Sequence, residues 1–571
     1  MPAMRLPIYC FVLLVGYGCQ RPPAAPVGEL LPPAAPPNIL WLVAEDISPR
    51  FAAYGDSLAH TPTLDALARR GVVFDLAFTT SGVCAPSRSS LITGMYASSI
   101  GTQHMRQQPS VIPMPGPPAY NAVPPPYVKA LPELLREAGY WTASYTKLDY
   151  QFGAPFTIWD SVSYTPSWRD RAPEDRDRPW FVYHTFEITH EINIWPDSTK
   201  ERFYEEFGLD TSTLAPDVLH RPPFDERYAV DPAAVTVPPY LPDTEVGRQH
   251  IARLYDNASR MDRQIAGILD DLEADGLLDN TVIFFLSDHG DCLPRGKRWV
   301  YDSGTHIPLV VYLPEQYRHL LPAGGRSDRL VSGVDLAPTV LELAGVPVPD
   351  WMQGRSLLGA EASRDYVFAA RDRIDNRYDT RRAVRDKQFK YIRNYRPEVP
   401  YSQYTTFLHQ MPYMRQIVRM HEAGELPPVQ AYWLEAPKPA EELYDIVADP
   451  HEINNLAADP AYAAQLSRYA RVLADWQKTN GDYLLTPETE QAEAMWPGLV
   501  QPVTEAPQGE VRGDSLYLRS ETEGASLAYR PVGALRWRLY THPVAVAGVE
   551  EWEGRAVRYG YAASPVVRLL H

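Results

Sequence analysis

Asn38-Ile39-Leu40-Trp41-Leu42-Val43 is a nearly unbroken apolar run that stops at Glu45-Asp46. A strand with one wet face alternates apolar and polar residues. An unbroken run suits a strand covered on both faces of a parallel sheet. Outward from it, Thr61-Pro62-Thr63 opens a helix whose Leu64, Leu67 and Ala68 share one face. Residues 131–139 read as a helix and 140–145 as the strand after it, with 180–186 a further strand. Residues 248–274 carry a long helical period that closes at Gly276. Residues 281–286 form a strand that delivers Asp288 and His289, and 308–313 another. Strands alternating with helices predict a parallel α/β sheet with helices on both sides. Acidic and histidine residues recur where these strands end, which is where open α/β sheets bind ligands.

From about residue 360 the pattern changes. Residues 385–393 and 442–444 read as strands of a smaller sheet, and 465–478 as a helix. After Pro497 short alternating segments follow, 515–518 and 526–529 among them, which predict a terminal β-sandwich module. The chain thus divides into a large domain at 38–359, a smaller α+β subdomain at 360–490 and a module at 498–571. No internal repeat is visible.

The 571 residues carry a formal net charge of −17, which argues against nucleic acid as a partner. If the ligand is an anion, positive charge must be concentrated locally. Arg5 followed by the apolar residues 6–15, too short to span a membrane, reads as an export signal over 1–18. Gly18-Cys19 fits a bacterial lipidation site on Cys19, with simple secretion as the alternative. The Pro- and Ala-rich residues 19–37 then form a tether. An exported protein with its lipid anchor sits in the periplasm or on the outer membrane, and touches the membrane only through that anchor. Of the four cysteines, Cys10 leaves with the signal, so a disulfide framework is not expected; a Cys84–Cys292 bridge is the competing arrangement.

Cys84-Ala85-Pro86-Ser87-Arg88, with Thr93-Gly94 beyond it, resembles the sulfatase signature. A match to its Cys-x-Pro-Ser-Arg core arises by chance about once in a thousand chains of this length. The segment 445–456 also resembles one found late in sulfatases, and 237–244 with Arg260-Met261-Asp262 is similar to the sulfamidases that cleave N-sulfoglucosamine. The resemblance spans most of 38–456. It implies an alkaline-phosphatase-like α/β sandwich around a large, mostly parallel sheet, and hydrolysis of a sulfate ester or N-sulfate on a sulfated sugar or polysaccharide fragment. It also implies that Cys84 is oxidised to formylglycine by a formylglycine-generating or anaerobic sulfatase-maturating enzyme. One hydroxyl of the hydrate attacks sulfur, and the second expels sulfate. A phosphoester or phosphonate-ester hydrolase of the same superfamily, or a non-catalytic glycan-binding relict, are the alternatives.

In that family a hard divalent cation, usually calcium, is held by carboxylates from distant strand ends. The resemblance puts Glu45, Asp46, Asp288 and His289 in those places, with Cys84 beside them. Glu45 stands where the family usually has aspartate. Arg88 is implied to fix the hydrate, and Lys147 and Lys297 to bind sulfate. Asp149 replaces a family histidine, so an acid role does not carry over to it. His190 is implied to lie near the leaving-group oxygen, and its ordinary pKa suits proton donation near neutrality. His104 and Arg106 read sugar hydroxyls or a second acidic group, or are plain surface residues. The arginine-rich residues 371–385 read as a solvated face, with a rim for a polyanionic chain as the alternative.

Overall fold

The computed structural model describes residues 36–107, 119–206, 208, 228–321, 325–359, 363–546 and 551–569. The export signal, Cys19 and nearly all of the tether lie outside them. A nine-stranded sheet organises the large domain. Its strands are β1 (Asn38–Ala44), β2 (Val72–Phe78), β3 (Trp141–Tyr145), β4 (Ser161–Ser163), β5 (Trp180–Phe186), β6 (Thr281–Ser287), β7 (His306–Ile307), β8 (Leu309–Tyr312) and β9 (Arg326–Ser332). The order is β4-β3-β5-β1-β6-β8-β2-β7, with β9 paired to β2.

The run from β4 to β6 is parallel throughout, while β8 is antiparallel to both of its neighbours. β1 lies at the centre, with Ala44 opposite Phe186 of β5 and Ser287 of β6. Parallel strands in register end on one edge, so the residues after β1, β3, β5 and β6 are delivered to the same place. All seven residues of β1 are buried. Leu40, Leu42 and Ala44 enter one core, Ile39, Trp41 and Val43 the other. The first core is covered by the Pro62–Arg70 and Glu245–Ala274 helices, the second by Leu131–Glu137 and Leu336–Leu343. The long helix starts at Glu245, three residues before the expected 248, because the Thr244 side chain accepts the Gly247 N–H and caps it.

The second sheet is antiparallel: β10 (Val367–Arg371), β11 (Arg381–Arg385), β12 (Phe389–Asn394) and β13 (Glu441–Asp445). The single strand expected over 385–393 is in fact the hairpin of β11 and β12. Asp386 breaks it, accepting the N–H groups of Gln388 and Phe389 at 2.8 Å each. The expectation of a solvated arginine face over 371–385 fails here. Arg371, Arg373, Arg381, Arg382 and Arg385 are all buried, each against a carboxylate: Asp379, Glu488, Asp379, Asp372 with Asp482, and Asp302. Asp372 and Asp379 lie within the segment itself, but Glu488, Asp482 and Asp302 lie far along the chain, where no local pattern could reveal the pairing.

The terminal module has two sheets. One is Gln508–Arg512, Ser515–Arg519 and Val544–Ala545; the other is Ser526–Pro531, Arg538–Tyr540, Trp552–Val557 and Val567–Leu569. Leu516, Leu518, Tyr529, Trp552 and Leu569 fill the space between them, as a sandwich requires. Tyr559 donates to Glu133 (2.9 Å) on the Leu131–Glu137 helix, fixing the module to the large domain. Among the described residues no helix is long and apolar enough to cross a membrane.

Candidate active site

Cys84 is the first residue of the Cys84–Thr93 helix, preceded by extended Val83, which offers no side-chain cap. The free N–H groups of a helix's first turn favour negative charge. That turn therefore faces the sheet edge with its positive end. The loop after β6 docks on it backbone to backbone. A Cβ at Gly82 would sit 2.2 Å from the Trp299 carbonyl oxygen, and the Arg298 N–H donates to the Gly82 carbonyl at 2.6 Å. Ser87 Oγ donates to the Asp288 carbonyl (2.5 Å), tying the helix to β6.

Arg88 is completely buried. Nη2 donates to Glu45 Oε1 (2.9 Å), Nε to Asp288 Oδ2 (3.1 Å), and Nη1 to Tyr183 and Thr185 (3.1 and 3.2 Å). It thus bridges the ends of β1 and β6. Lys147, after β3, reaches Glu45 Oε2 (2.6 Å); Lys297 reaches Asp46 Oδ2 (2.7 Å) and Glu191 Oε1 (3.0 Å). His289 Nδ1 faces the Gly290 carbonyl (3.0 Å), which turns Nε2 toward Asp46 Oδ1 (2.9 Å) and Cys84 Sγ (3.3 Å). His190 Nδ1 lies 3.4 Å from the Ile192 N–H and Nε2 lies 3.3 Å from Lys297 Nζ, so a donor faces each ring nitrogen.

The charges decide the protonation states. Burial alone would push Asp46 up, but Lys297, His190 and His289 hold it well below the usual carboxylate range. Burial pushes Glu45 up, and Lys147 and Arg88 do not fully offset it. Burial also disfavours the His289 cation, yet Asp288 and Asp46 raise it well above the usual histidine value. Burial and then Lys297 hold His190 well below its ordinary value, so the ring is neutral at pH 7.

Asp46, Cys84, Asp288 and His289 each present a donor atom within 4.8 Å of the others, and Glu45, Asp46, Cys84 and His190 form a second such group. Carboxylate oxygens from two strand ends, gathered where burial makes their charge costly, are the donor set a hard divalent cation takes. The residues present therefore fit such an ion. No disulfide competes, because Cys84 and Cys292 are both free thiols.

A cavity of about 250 Å³ opens onto Cys84, Lys147, His190 and Lys297. Arg106 lines it and pairs with Asp375 (2.5 Å). His104 does not line it: the ring is buried, and Nδ1 accepts the Arg373 N–H (3.3 Å). Glu191, Arg298, Asp375 and Phe407 also line the cavity and were not found from sequence. One signal exists for part of this set. Asp46, Arg106, Arg298 and Asp375 all have positive φ, between 51° and 80°, a strained backbone that gathers at functional sites. That signal belongs to the structure and not to the residue types.

Residues 37–346 match the sulfatase family model, and 294–407 the C-terminal model of N-sulphoglucosamine sulphohydrolase. The chain is 38% identical over 589 residues to an ulvan-active sulfatase of Formosa agariphila, covering 98% of this chain and 96% of the relative. It is 30% identical over 501 residues to the human N-sulphoglucosamine sulphohydrolase, covering 81% and 94%. A solved structure in complex with D-glucosamine-2-N,6-O-disulfate aligns with TM-score 0.51 at 19% identity, over 78% of this chain and 98% of that one. A 2-O GAG sulfatase aligns with TM-score 0.53 at 20% identity, over 78% and 93%. The last two share the alkaline-phosphatase-like fold. The chain belongs to the sulfatase family and is an enzyme, a hydrolase of the sulfatase class.

Proposed function

We propose that this sulfatase removes sulfate from a sulfated sugar or polysaccharide fragment, with Cys84 matured to formylglycine as the nucleophile and calcium held by Glu45, Asp46, Asp288 and His289. The observation that carries the reading is Cys84 at a helix N-terminus, 3.3 Å from His289 and flanked by buried Lys297 and half-buried Lys147. When bound, calcium supplies Lewis acidity beside the nucleophile, and the formylglycine hydrate supplies the attacking hydroxyl.

Arg88 holds Glu45 and Asp288 in place and acts on the nucleophile through them. Lys147 and Lys297 offer ammonium donors to the sulfate oxygens, already fixed by Glu45 and Asp46 before substrate arrives. Proton transfer to the leaving oxygen falls to His190, which lines the cavity; the anionic ester beside it raises the pKa that burial and Lys297 depress, so the ring takes up the proton it then donates. Arg106 contributes to sugar binding. The domains divide at 38–359, 360–490 and 498–571. Export over 1–18, lipidation of Cys19 and maturation by a formylglycine-generating or anaerobic sulfatase-maturating enzyme complete the reading. Relatives named for ulvan and N-sulfoglucosamine support a carbohydrate substrate.

The test is the mass of the tryptic peptide spanning residues 71–88, from protein made in a host able to mature sulfatases. A deficit matching CH₂SH converted to CHO is expected, together with loss of turnover and an intact fold in Cys84→Ala. Turnover retained by that variant overturns the mechanism.

A further inference from the structure

Part of the cavity wall has no task in the sulfate chemistry. Phe407 forms its apolar surface, with the guanidinium carbons of Arg106 and Arg298 lying 5.8 and 5.9 Å from the ring centroid. Asp375 stands beside them. Its Oδ1 accepts from Arg106 Nε, while Oδ2 is buried without a hydrogen-bond partner among the described residues. Arg298 spends both terminal nitrogens on Glu191, at 3.0 and 2.7 Å, and leaves Nε buried and unpartnered. Asp375 is 2% exposed and Arg298 6%, and both line the cavity. A buried acceptor and a buried donor left unpaired are costly unless a ligand satisfies them. Both also sit on left-handed backbone, with φ of 51° and 80°, strain that a purely structural pair has no reason to keep.

We infer that Asp375 and Arg298 form a hydroxyl-reading subsite. Unsubstituted sugar hydroxyls donate to Asp375 Oδ2 and accept from Arg298 Nε, and the apolar face of the same ring lies on Phe407. The chemistry of a hydroxyl fits because it is donor and acceptor at once. A second sulfate or a carboxylate fits worse. Beyond the two lysines the wall carries Arg106 and Arg298 against Asp149, Glu187, Glu191 and Asp375, more carboxylates than cations. The 250 Å³ volume falls below the ~300–1,000 Å³ of pockets for drug-sized ligands, so one sugar ring fills it. The subsite rests on the sulfatase reading above, and its ligand class is a singly sulfated sugar with free neighbouring hydroxyls.

The test is calorimetric binding to calcium-loaded Cys84→Ala protein, which cannot turn over. The probes are D-glucosamine N-sulfate, D-glucose 6-sulfate and D-galactose 4-sulfate, with 4-nitrophenyl sulfate as a hydroxyl-free control. Added Asp375→Asn should weaken the best sugar at least ~10-fold, the usual scale for a lost hydrogen bond to a charged group, and the aryl sulfate less than ~3-fold. Equal losses for both probes overturn the subsite, as does an unchanged sugar affinity. Aryl sulfate bound with no sugar bound overturns it too. Failure to bind any sulfate overturns the sulfate-binding reading itself, and the subsite with it. If Asp375→Asn does not fold, Arg298→Lys gives the same test, since it keeps a charge for Glu191 and removes Nε.

Discussion

Replacing Arg88 with alanine should destabilise the large domain more than any other single change at the site. The guanidinium is fully buried and is the shared partner of Glu45 and Asp288, at 2.9 and 3.1 Å. Removing it leaves two carboxylates in a dry site with less compensation. Breaking a buried ion pair from one side costs about 3–5 kcal/mol, chiefly the desolvation of the charge left behind. The measurement is guanidinium chloride denaturation with chelator present, followed by the fluorescence of the buried tryptophans. Arg88→Lys should recover only part of the loss, because a point charge cannot reproduce a fork that spans two strand ends. Adding Glu45→Gln to Arg88→Ala should return about 1 kcal/mol or more by removing one of the stranded charges. Millimolar calcium should shrink the cost further, since the cation compensates the same carboxylates. A change within about 1 kcal/mol of the parent, or further loss on adding Glu45→Gln, would refute the argument.

Chelation should abolish turnover and calcium should restore it; calcium should also raise the unfolding temperature, by about 2.7 kcal/mol of linkage at a hundredfold excess over Kd. Asp46→Asn should lose that shift, and a shift that survives the substitution would move the ion elsewhere. Burial holds the buried His104 and His250 down at about 4. In the unfolded chain each takes a proton near pH 6.5, and in the folded one only near 4. Their contribution to stability is thus full above 6.5 and lost as pH falls from 6.5 to 4, about 3 kcal/mol per residue. Denaturation midpoints of His104→Gln and His250→Gln against pH check it: each variant should flatten that acid limb, and an unchanged slope would count against it.

What the sequence made legible follows range of interaction. β1, β5 and β6 are readable because a strand buried on both faces is apolar along its whole length. The motif at 84–94 is readable because its residues are local to one helix. From β1 and β6 alone the carboxylates at 45–46 and 288–289 could be brought to one edge, since parallel strands end together. The wall made by Arg298, Asp375 and Phe407 was not legible. Its members come from a loop after β6 and from two loops of the second sheet, and nothing within one window marks them as neighbours. The same holds for the arginines of 371–385. Asp372 and Asp379 are local, but charge-rich sequence reads as surface until Asp482, Glu488 and Asp302 are brought in from elsewhere to pair with Arg382, Arg373 and Arg385.

A chain of net charge −17 must bind an anion against its own field. The structure meets this locally and not by a broad basic surface. Glu45 is matched by Arg88 and Lys147, Asp46 by Lys297 and His289, and Glu191 by Lys297 and Arg298. Each cation is held by a carboxylate behind it, so it is fixed before sulfate enters and needs no reorganisation then. A mobile surface lysine gives up side-chain entropy on contact; Lys297, 3% exposed and bonded to two acids, has already lost it on folding. The same matching explains why a divalent ion belongs there. Three carboxylates and the strained left-handed backbone at Asp46 are a poor way to build a core, and become favourable once a cation and an anionic ester share the site.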